Sequence, residues 1–418
     1  MLMIMIVIYS FYVLANLYVS IMQIGYITQA KRKAPVLMGS ADYVKAASYA
    51  IAKERLSIAR TIVDYIVVLA WLAGGIVFLN DNIFVQDEAL RTVFIVLGFI
   101  LINSVISLPF SIYEKFGLDQ KFGFNKSSAA QFVKDTFITL VLSIIIGGLV
   151  IWGIYLIMTT FALWWVWSFA FIFTVIVLIN MLYPTVRAMF FDKLKPLDDK
   201  ELSGEIQALM DKTGFVSSGV FVSDASKRDA RLNAYFGGLG KTKRVVLFDT
   251  LLEKLERKEL LAVLGHELGH FAHGDIYKNI AMVGAMLFGM FAIFGNLPEN
   301  LYLEMGLCAS PYLVMILFLI FMPVLSFVMM PIMGIVSRHN EYEADRMGAE
   351  LSGKSGEIEL ANALKKLVTE NKSFPLSHPV YIFFHYTHPP VVERLKALGM
   401  DISTADKSSL EGACPVID

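Results

Sequence analysis

His266-Glu267-Leu268-Gly269-His270 sets two imidazoles four residues apart, with a carboxylate beside the first. On a helix that spacing puts both rings on one face, about one turn apart, where they can chelate one metal ion while Glu267 reaches a water bound to it. Zinc suits such donors, because it depresses the pKa of bound water until that water is a nucleophile near neutral pH. The competing reading is a solvated helix face that happens to carry two histidines. More ligands decide between them.

A catalytic zinc takes three protein ligands and leaves a fourth position to water. His273 is the nearest candidate, but it stands seven residues after His266, too far along a helix for one tetrahedral ion unless the chain reverses between His270 and His273. A capping role, or one behind the ligands, suits His273 better. Glu341, in Glu341-Tyr342-Glu343-Ala344-Asp345, is the stronger choice. Glu341 and Asp345 share a helix face whereas Glu343 points elsewhere, so Asp345 can orient a metal-bound imidazole from behind. With only Cys308 and Cys414 in the chain, neither a disulfide framework nor a Cys-rich zinc ribbon is available. The expected cofactor is one zinc ion on His266, His270 and Glu341, with Glu267 as the base.

These residues sit in an apolar chain. Of 418 residues 56% are hydrophobic and 17% charged, and the mean hydropathy is +0.61, far from the balance of a soluble domain. Seven stretches approach the roughly 20 apolar residues a membrane-crossing helix needs: near 2–27, 61–80, 91–113, 135–158, 162–184, 277–297 and 310–334. The first has no Lys or Arg before Lys31 and is too long for a signal-peptide core, so it reads as a retained span. A net charge of −1 and a pI near 6.7 offer no basic surplus for a phosphate backbone, so no nucleic-acid partner is expected.

The spans divide the chain into residues 1–185, with five helices and their loops; 186–275, a polar protease segment; 276–334, with two more helices; and 335–418, a polar C-terminal segment. Two crossings separate the polar segments, so both lie on one side of the membrane and can build one site. The loop after the first span carries Lys31, Arg32, Lys33, Lys45, Lys53, Arg55 and Arg60, and basic loops stay cytoplasmic. The loops with Asp81, Asp87 and Glu88, and with Glu299 and Glu304, are acidic and outside. Both polar segments therefore face the cytoplasm, and Cys308 and Cys414 sit on opposite sides, unable to pair.

Within the first polar segment a helical pattern runs through Glu201–Lys212, and β-prone runs follow at Val220–Val222, Asn233–Phe236 and Arg244–Phe248. Thr250 with Glu253 reads as a capping box opening a helix that continues into His266–His270, and Ser128 with Gln131 as one opening the fourth span. The predicted fold is mainly α: about seven transmembrane helices, with a cytoplasmic α+β zinc-protease region built from two segments.

The chain resembles the Ste24-type CAAX prenyl proteases of the integral-membrane zinc metalloprotease group. The resemblance rests on Phe122-Gly123-Phe124-Asn125-Lys126, Ser226-Lys227-Arg228, Asn233-Ala234-Tyr235-Phe236, Phe248-Asp249-Thr250-Leu251, His266–His270, Glu341–Asp345, and His385-Tyr386-Thr387-His388-Pro389-Pro390 running to Glu393-Arg394-Leu395, in matching order over nearly the whole chain. It implies that Asn233, Ala234 and Tyr235 lie on an edge strand that pairs with the substrate backbone, and that His388, with Arg394, donates to the tetrahedral oxyanion. Without it, Asn233 reads as a turn residue and His388 as a surface histidine before a diproline. One departure is Phe271-Ala272-His273-Gly274-Asp275, where eukaryotic members carry Trp directly after the second His; the ending looks more like wider bacterial relatives.

The expected activity is zinc-dependent hydrolysis of peptide bonds near the C-terminus of prenylated CaaX proteins, by a chain that is a monomer in contact with membrane lipid. It would sit in the endoplasmic reticulum membrane of a eukaryote, or the inner or plasma membrane of a prokaryote. The runner-up is a membrane quality-control endopeptidase cutting unprenylated or misfolded chains. A transporter or receptor with structural zinc is a rival of another class, but a structural site needs no Glu267 and closes with a fourth ligand.

Overall fold

The computed structural model describes residues 1–190, 193–237 and 244–402; Cys414 lies outside the described residues. Five long helices come first: α1 (Leu2–Ala30), α2 (Ser40–Asn82), α3 (Glu88–Phe122), α4 (Ala129–Thr160) and α5 (Trp164–Phe190). A small mixed unit follows, with β1 (Leu194–Pro196), α6 (Lys200–Thr213), β2 (Val220–Ser223), β3 (Ala234–Gly237), β4 (Arg244–Phe248), α7 (Asp249–Lys254) and α8 (Arg257–Ala272). The chain then runs through α9 (Asp275–Phe294), α10 (Glu299–Glu304), α11 (Pro311–Leu351), α12 (Gly356–Glu370), α13 (Pro379–His385) and α14 (Val391–Ala397).

Seven helices, α1 to α5 with α9 and α11, are long and apolar enough to cross a membrane. In α4 and α5 only 6% of the most apolar stretch is buried inside the protein, so much of that hydrophobic surface faces outward. Water would penalise such exposure by tens of cal/mol per Å² and lipid does not. Between the spans lies an apolar pocket of about 280 Å³, lined among others by Ile151, Trp164, Phe291, Phe318 and Met322.

Two helices outrun their apolar stretches. The basic segment after the first span, expected as a loop, is helical from Ser40 onward, and α11 continues through Pro323 and Pro331 to Leu351. One rod thus joins the membrane to the sequence carrying Glu341 and Asp345. Around it stand two cores, one of membrane helices centred on Ile95, Leu313, Ile316 and Leu317, the other of the mixed unit centred on Met210, Val245, Leu247, Leu264 and Leu268.

The sheet order is β1-β2-β4-β3, with β2 and β4 parallel and both outer pairs antiparallel. Strand β1 carries Lys195 and Pro196 in three residues, too short and polar for a β pattern to register. Asn233, expected inside the edge strand, stands one residue before it, although its carbonyl still accepts from Phe248 N at 3.1 Å.

The Thr250–Glu253 capping box is not made. Thr250 Oγ1 instead donates to Arg231 O at 3.0 Å, bracing the loop before β3. Helix α7 ends at Lys254, Leu255 is extended, and α8 starts afresh under a reciprocal box between Glu256 and Glu259. Ser128 does cap α4, accepting from Gln131 N at 3.1 Å, while the Gln131 amide turns along the helix to Asp135 rather than back.

Candidate metal centre and active site

The site forms where α8 crosses α11 with only glycine and alanine at the contact. A Cβ on Gly265 would stand 3.2 Å from Gly348 Cα, one on Gly269 2.9 Å from Ala344 Cα, and one on Gly348 2.7 Å from His266 N. Two glycines on one helix therefore face a glycine and an alanine on the other, and the backbones meet almost directly. Such contact brings His266 and His270 on α8 within reach of Glu341 on α11 although 71 residues of sequence separate the nearer pair.

His270 Nε2 is 3.3 Å from Glu341 Oε1 and His266 Nε2 is 3.6 Å from Glu341 Oε2. One ligand atom from each of the three lies within 4.8 Å of the others. Donors about 2.0–2.2 Å from a tetrahedral zinc stand about 3.4 Å apart, so the cluster fits the ion. His273 is outside it, at the position where α8 ends.

Each imidazole is held from behind by a carboxylate. Asp345 Oδ1 is 2.9 Å from His266 Nδ1, and Asp275 Oδ2 is 2.9 Å from His270 Nδ1. With Nδ1–H donating to the carboxylate, Nε2 keeps its lone pair free for a metal ion. Burial alone would push the His270 pKa down, but Glu341 and Asp275 outweigh it and raise it to about 9. The shift reflects the negative field of the two carboxylates, which favours positive charge at this place.

Arg394 is buried and grips Asp345 with two nitrogens, Nε to Oδ2 at 2.8 Å and Nη2 to Oδ1 at 2.6 Å, while Nη1 lies 3.2 Å from Glu341 Oε2. Burial would lower its pKa, but these carboxylates raise it, so the guanidinium stays charged. His388 is mostly exposed and points Nε2 to within 3.2 Å of Glu341 Oε1. His266, Glu267, His270, Glu341, His388 and Arg394 share one cavity of about 280 Å³, whose apolar wall is Leu360, Leu364 and Leu367 of α12. Asn233 is exposed at the start of the edge strand, followed by half-buried Ala234 and Tyr235.

Three supporting residues were not assigned a role from sequence. Asp275 holds His270 and is itself held by Lys278, whose Nζ is 2.7 Å from Asp275 Oδ1 and also reaches Asn340 Oδ1 at 3.3 Å. Arg338, one turn before Glu341, donates from Nη1 to Tyr386 O at 2.6 Å and so anchors the loop leading to His388. An Asp five residues after the second His, at the start of the next helix, was the available signal for the first; nothing local marks Arg338.

Seven apolar helices and a His-His-Glu cluster that shares its cavity with Glu267 have the make-up of a membrane metallopeptidase. Residues 196–401 match peptidase family M48, and residues 28–193 match the CAAX prenyl protease N-terminal region of five membrane helices. The CAAX prenyl protease 1 of Saccharomyces cerevisiae is 34% identical over 317 residues, covering 71% of this chain and 69% of that protein. The Arabidopsis thaliana homolog is 32% identical over 336 residues, 78% of each. The crystal structure of S. mikatae Ste24p superposes with a TM-score of 0.85 at 28% identity, over 94% of this chain and 99% of that one. The chain belongs to the M48 family in its CAAX prenyl protease branch, and is a multi-pass membrane metalloendopeptidase.

Proposed function

We propose that this enzyme uses one zinc ion, held by His266, His270 and Glu341, to hydrolyse peptide bonds near the C-terminus of prenylated CaaX proteins, releasing the last three residues. What supports the metal assignment is the convergence of three ligand atoms within 4.8 Å in a cavity that also holds Glu267 and His388. The zinc supplies Lewis acidity toward water and the scissile carbonyl.

In this reading Glu267 takes the proton from the attacking water and passes it to the leaving amine. His388, exposed and pointing into the cavity, donates to the oxyanion of the tetrahedral intermediate. Arg394 keeps its fork on Asp345 and Glu341 and lends fixed positive charge beside that oxyanion. Ala234 pairs its backbone with the substrate as an added strand at the outer edge of β3, and the side chains of Asn233 and Tyr235 flank that strand. All of these residues come from one chain, so a monomer suffices.

The basic segment after α1 and the acidic turns on the opposite side support a site at the cytoplasmic face. Prenylation is carried over from the relatives' names. Incubating the purified enzyme with farnesylated and unfarnesylated versions of one CaaX peptide tests it: faster cleavage of the farnesylated peptide is expected, and equal rates would favour a quality-control endopeptidase.

A further inference from the structure

In an antiparallel pair, successive residues turn their backbone groups alternately toward the partner and away from it. Asn233 turns toward β4, since its carbonyl accepts from Phe248 N, and Tyr235 lies in register with Val246. Leu232, Ala234 and Phe236 therefore present N–H and C=O on the other side, the outer edge of β3. Among the described residues no further strand pairs with that edge. An extended peptide could dock on it at three positions.

One of those three is closed. The Asn371 amide meets both backbone groups of Leu232: Leu232 N donates to Asn371 Oδ1 at 2.8 Å, and Asn371 Nδ2 donates to Leu232 O at 3.2 Å. A primary amide that offers a donor and an acceptor side by side reproduces the pairing that a neighbouring strand would make. Asn371 follows the last turn of α12, four residues beyond Leu367. It thus continues the helix face that walls the metal cavity, and sits where that wall meets the edge strand.

The loop it grips is fixed on other sides as well. Arg231 reaches Asp119 Oδ1 at 2.7 Å and Asp229 Oδ2 at 2.6 Å, and stacks on Phe124 with its guanidinium carbon 4.2 Å from the ring centre. Lys372 Nζ lies 4.1 Å from the centre of the same ring. The plug is thereby tied to a rigid corner.

We propose that Asn371 is a positioning residue that stops the substrate strand: by occupying the edge at Leu232 it confines pairing to Ala234 and Phe236 and so fixes which peptide bond lies over the metal. This rests on the edge-strand reading above. A β pairing that slips by one residue reverses every side chain, whereas a slip of two keeps them on their faces. Removing the plug should therefore shift the cut by two residues, not one.

The experiment uses the full-length, zinc-loaded enzyme and an unstructured peptide of about twenty residues, with products assigned by mass spectrometry. Wild type should cut at one principal bond. Asn371→Ala should add a product displaced by two residues and raise KM about five- to tenfold, with kcat within about twofold and zinc content unchanged. Asn371→Asp keeps the acceptor for Leu232 N but loses the donor to Leu232 O, so it should show a smaller share of displaced product. It carries the test alone if the alanine variant does not fold. A single wild-type cut with unchanged KM in whichever variant folds would overturn the proposal. If wild type cuts neither this peptide nor a farnesylated CaaX peptide of the same length, the edge-strand reading itself fails.

Discussion

Gly348 of α11 lies so close to His266 of α8 that a Cβ there would stand 2.7 Å from the His266 backbone nitrogen. The helix carrying His266 and His270 and the helix carrying Glu341 therefore meet backbone to backbone at this point, and a methyl group on Gly348 would push them apart. Replacing Gly348 by Ala should gain about 1 kcal/mol of helix propensity but lose about 1–3 kcal/mol to overpacking against backbone that cannot yield. The loss wins. Gly348→Ala should lower the melting temperature and the bound zinc together. Gly204→Ala, in a helix where a Cβ meets nothing within 4 Å, should raise the melting temperature slightly and leave zinc alone. Equal zinc content in wild type and Gly348→Ala would show that the crossing tolerates a wider gap.

Zinc analysis tests the ligand set. Purified protein should hold about one zinc, and His266→Ala, His270→Ala or Glu341→Ala should lose most of it, because two ligands rarely retain the ion. Glu343→Ala should keep it, since that side chain lies beside exposed His339 rather than in the cluster. Full retention in Glu341→Ala would return the third position to His273.

The carboxylate behind His270 has its own signature. Asp275→Ala should weaken zinc affinity by about 10–100-fold, the usual effect of removing a hydrogen-bond partner behind a ligand, while leaving the stoichiometry intact at saturating metal. Competition with a chelator gives the affinity directly; an unchanged value would reduce Asp275 to a helix-starting residue.

Glu267→Gln separates binding from chemistry. Size and hydrogen bonding are nearly preserved, so zinc should stay, while loss of the base should lower kcat by about 10²–10⁴. Near-normal proteolysis from a zinc-loaded Glu267→Gln protein would rule out the mechanism.

His388 and Asn233 should part kinetically. A contact that strengthens only as the tetrahedral intermediate forms affects kcat, so His388→Ala should cost about 10²–10³ in kcat, or about 2.7–4 kcal/mol, with little change in KM. Asn233→Ala should chiefly raise KM, because its proposed work is holding the extended peptide. Steady-state rates on a fluorogenic peptide, with zinc measured in parallel, decide it: intact kcat in His388→Ala, or loss of its zinc, refutes the oxyanion role.

What the sequence by itself determined is local and periodic. Seven apolar runs set the number of spans, because roughly 20 residues is the length that covers a bilayer, and parity put the polar segments together. His266 and His270 were legible because four residues is one turn, and Glu341 because Asp345 repeats that spacing. Tertiary structure decided what no window along the chain can contain. Thr250 was read as a cap because its neighbours look like one, whereas its hydroxyl is committed to Arg231 O across the sheet loop. Gly265, Gly269 and Gly348 look like weak points in isolated helices and become the contact surface only when α8 and α11 cross. Asp275 behind His270, Arg338 under the His388 loop and Asn371 on Leu232 are likewise partnerships of direction. A hydrogen bond depends on where a lone pair points in the folded molecule, and sequence spacing fixes that only within a turn or two of helix.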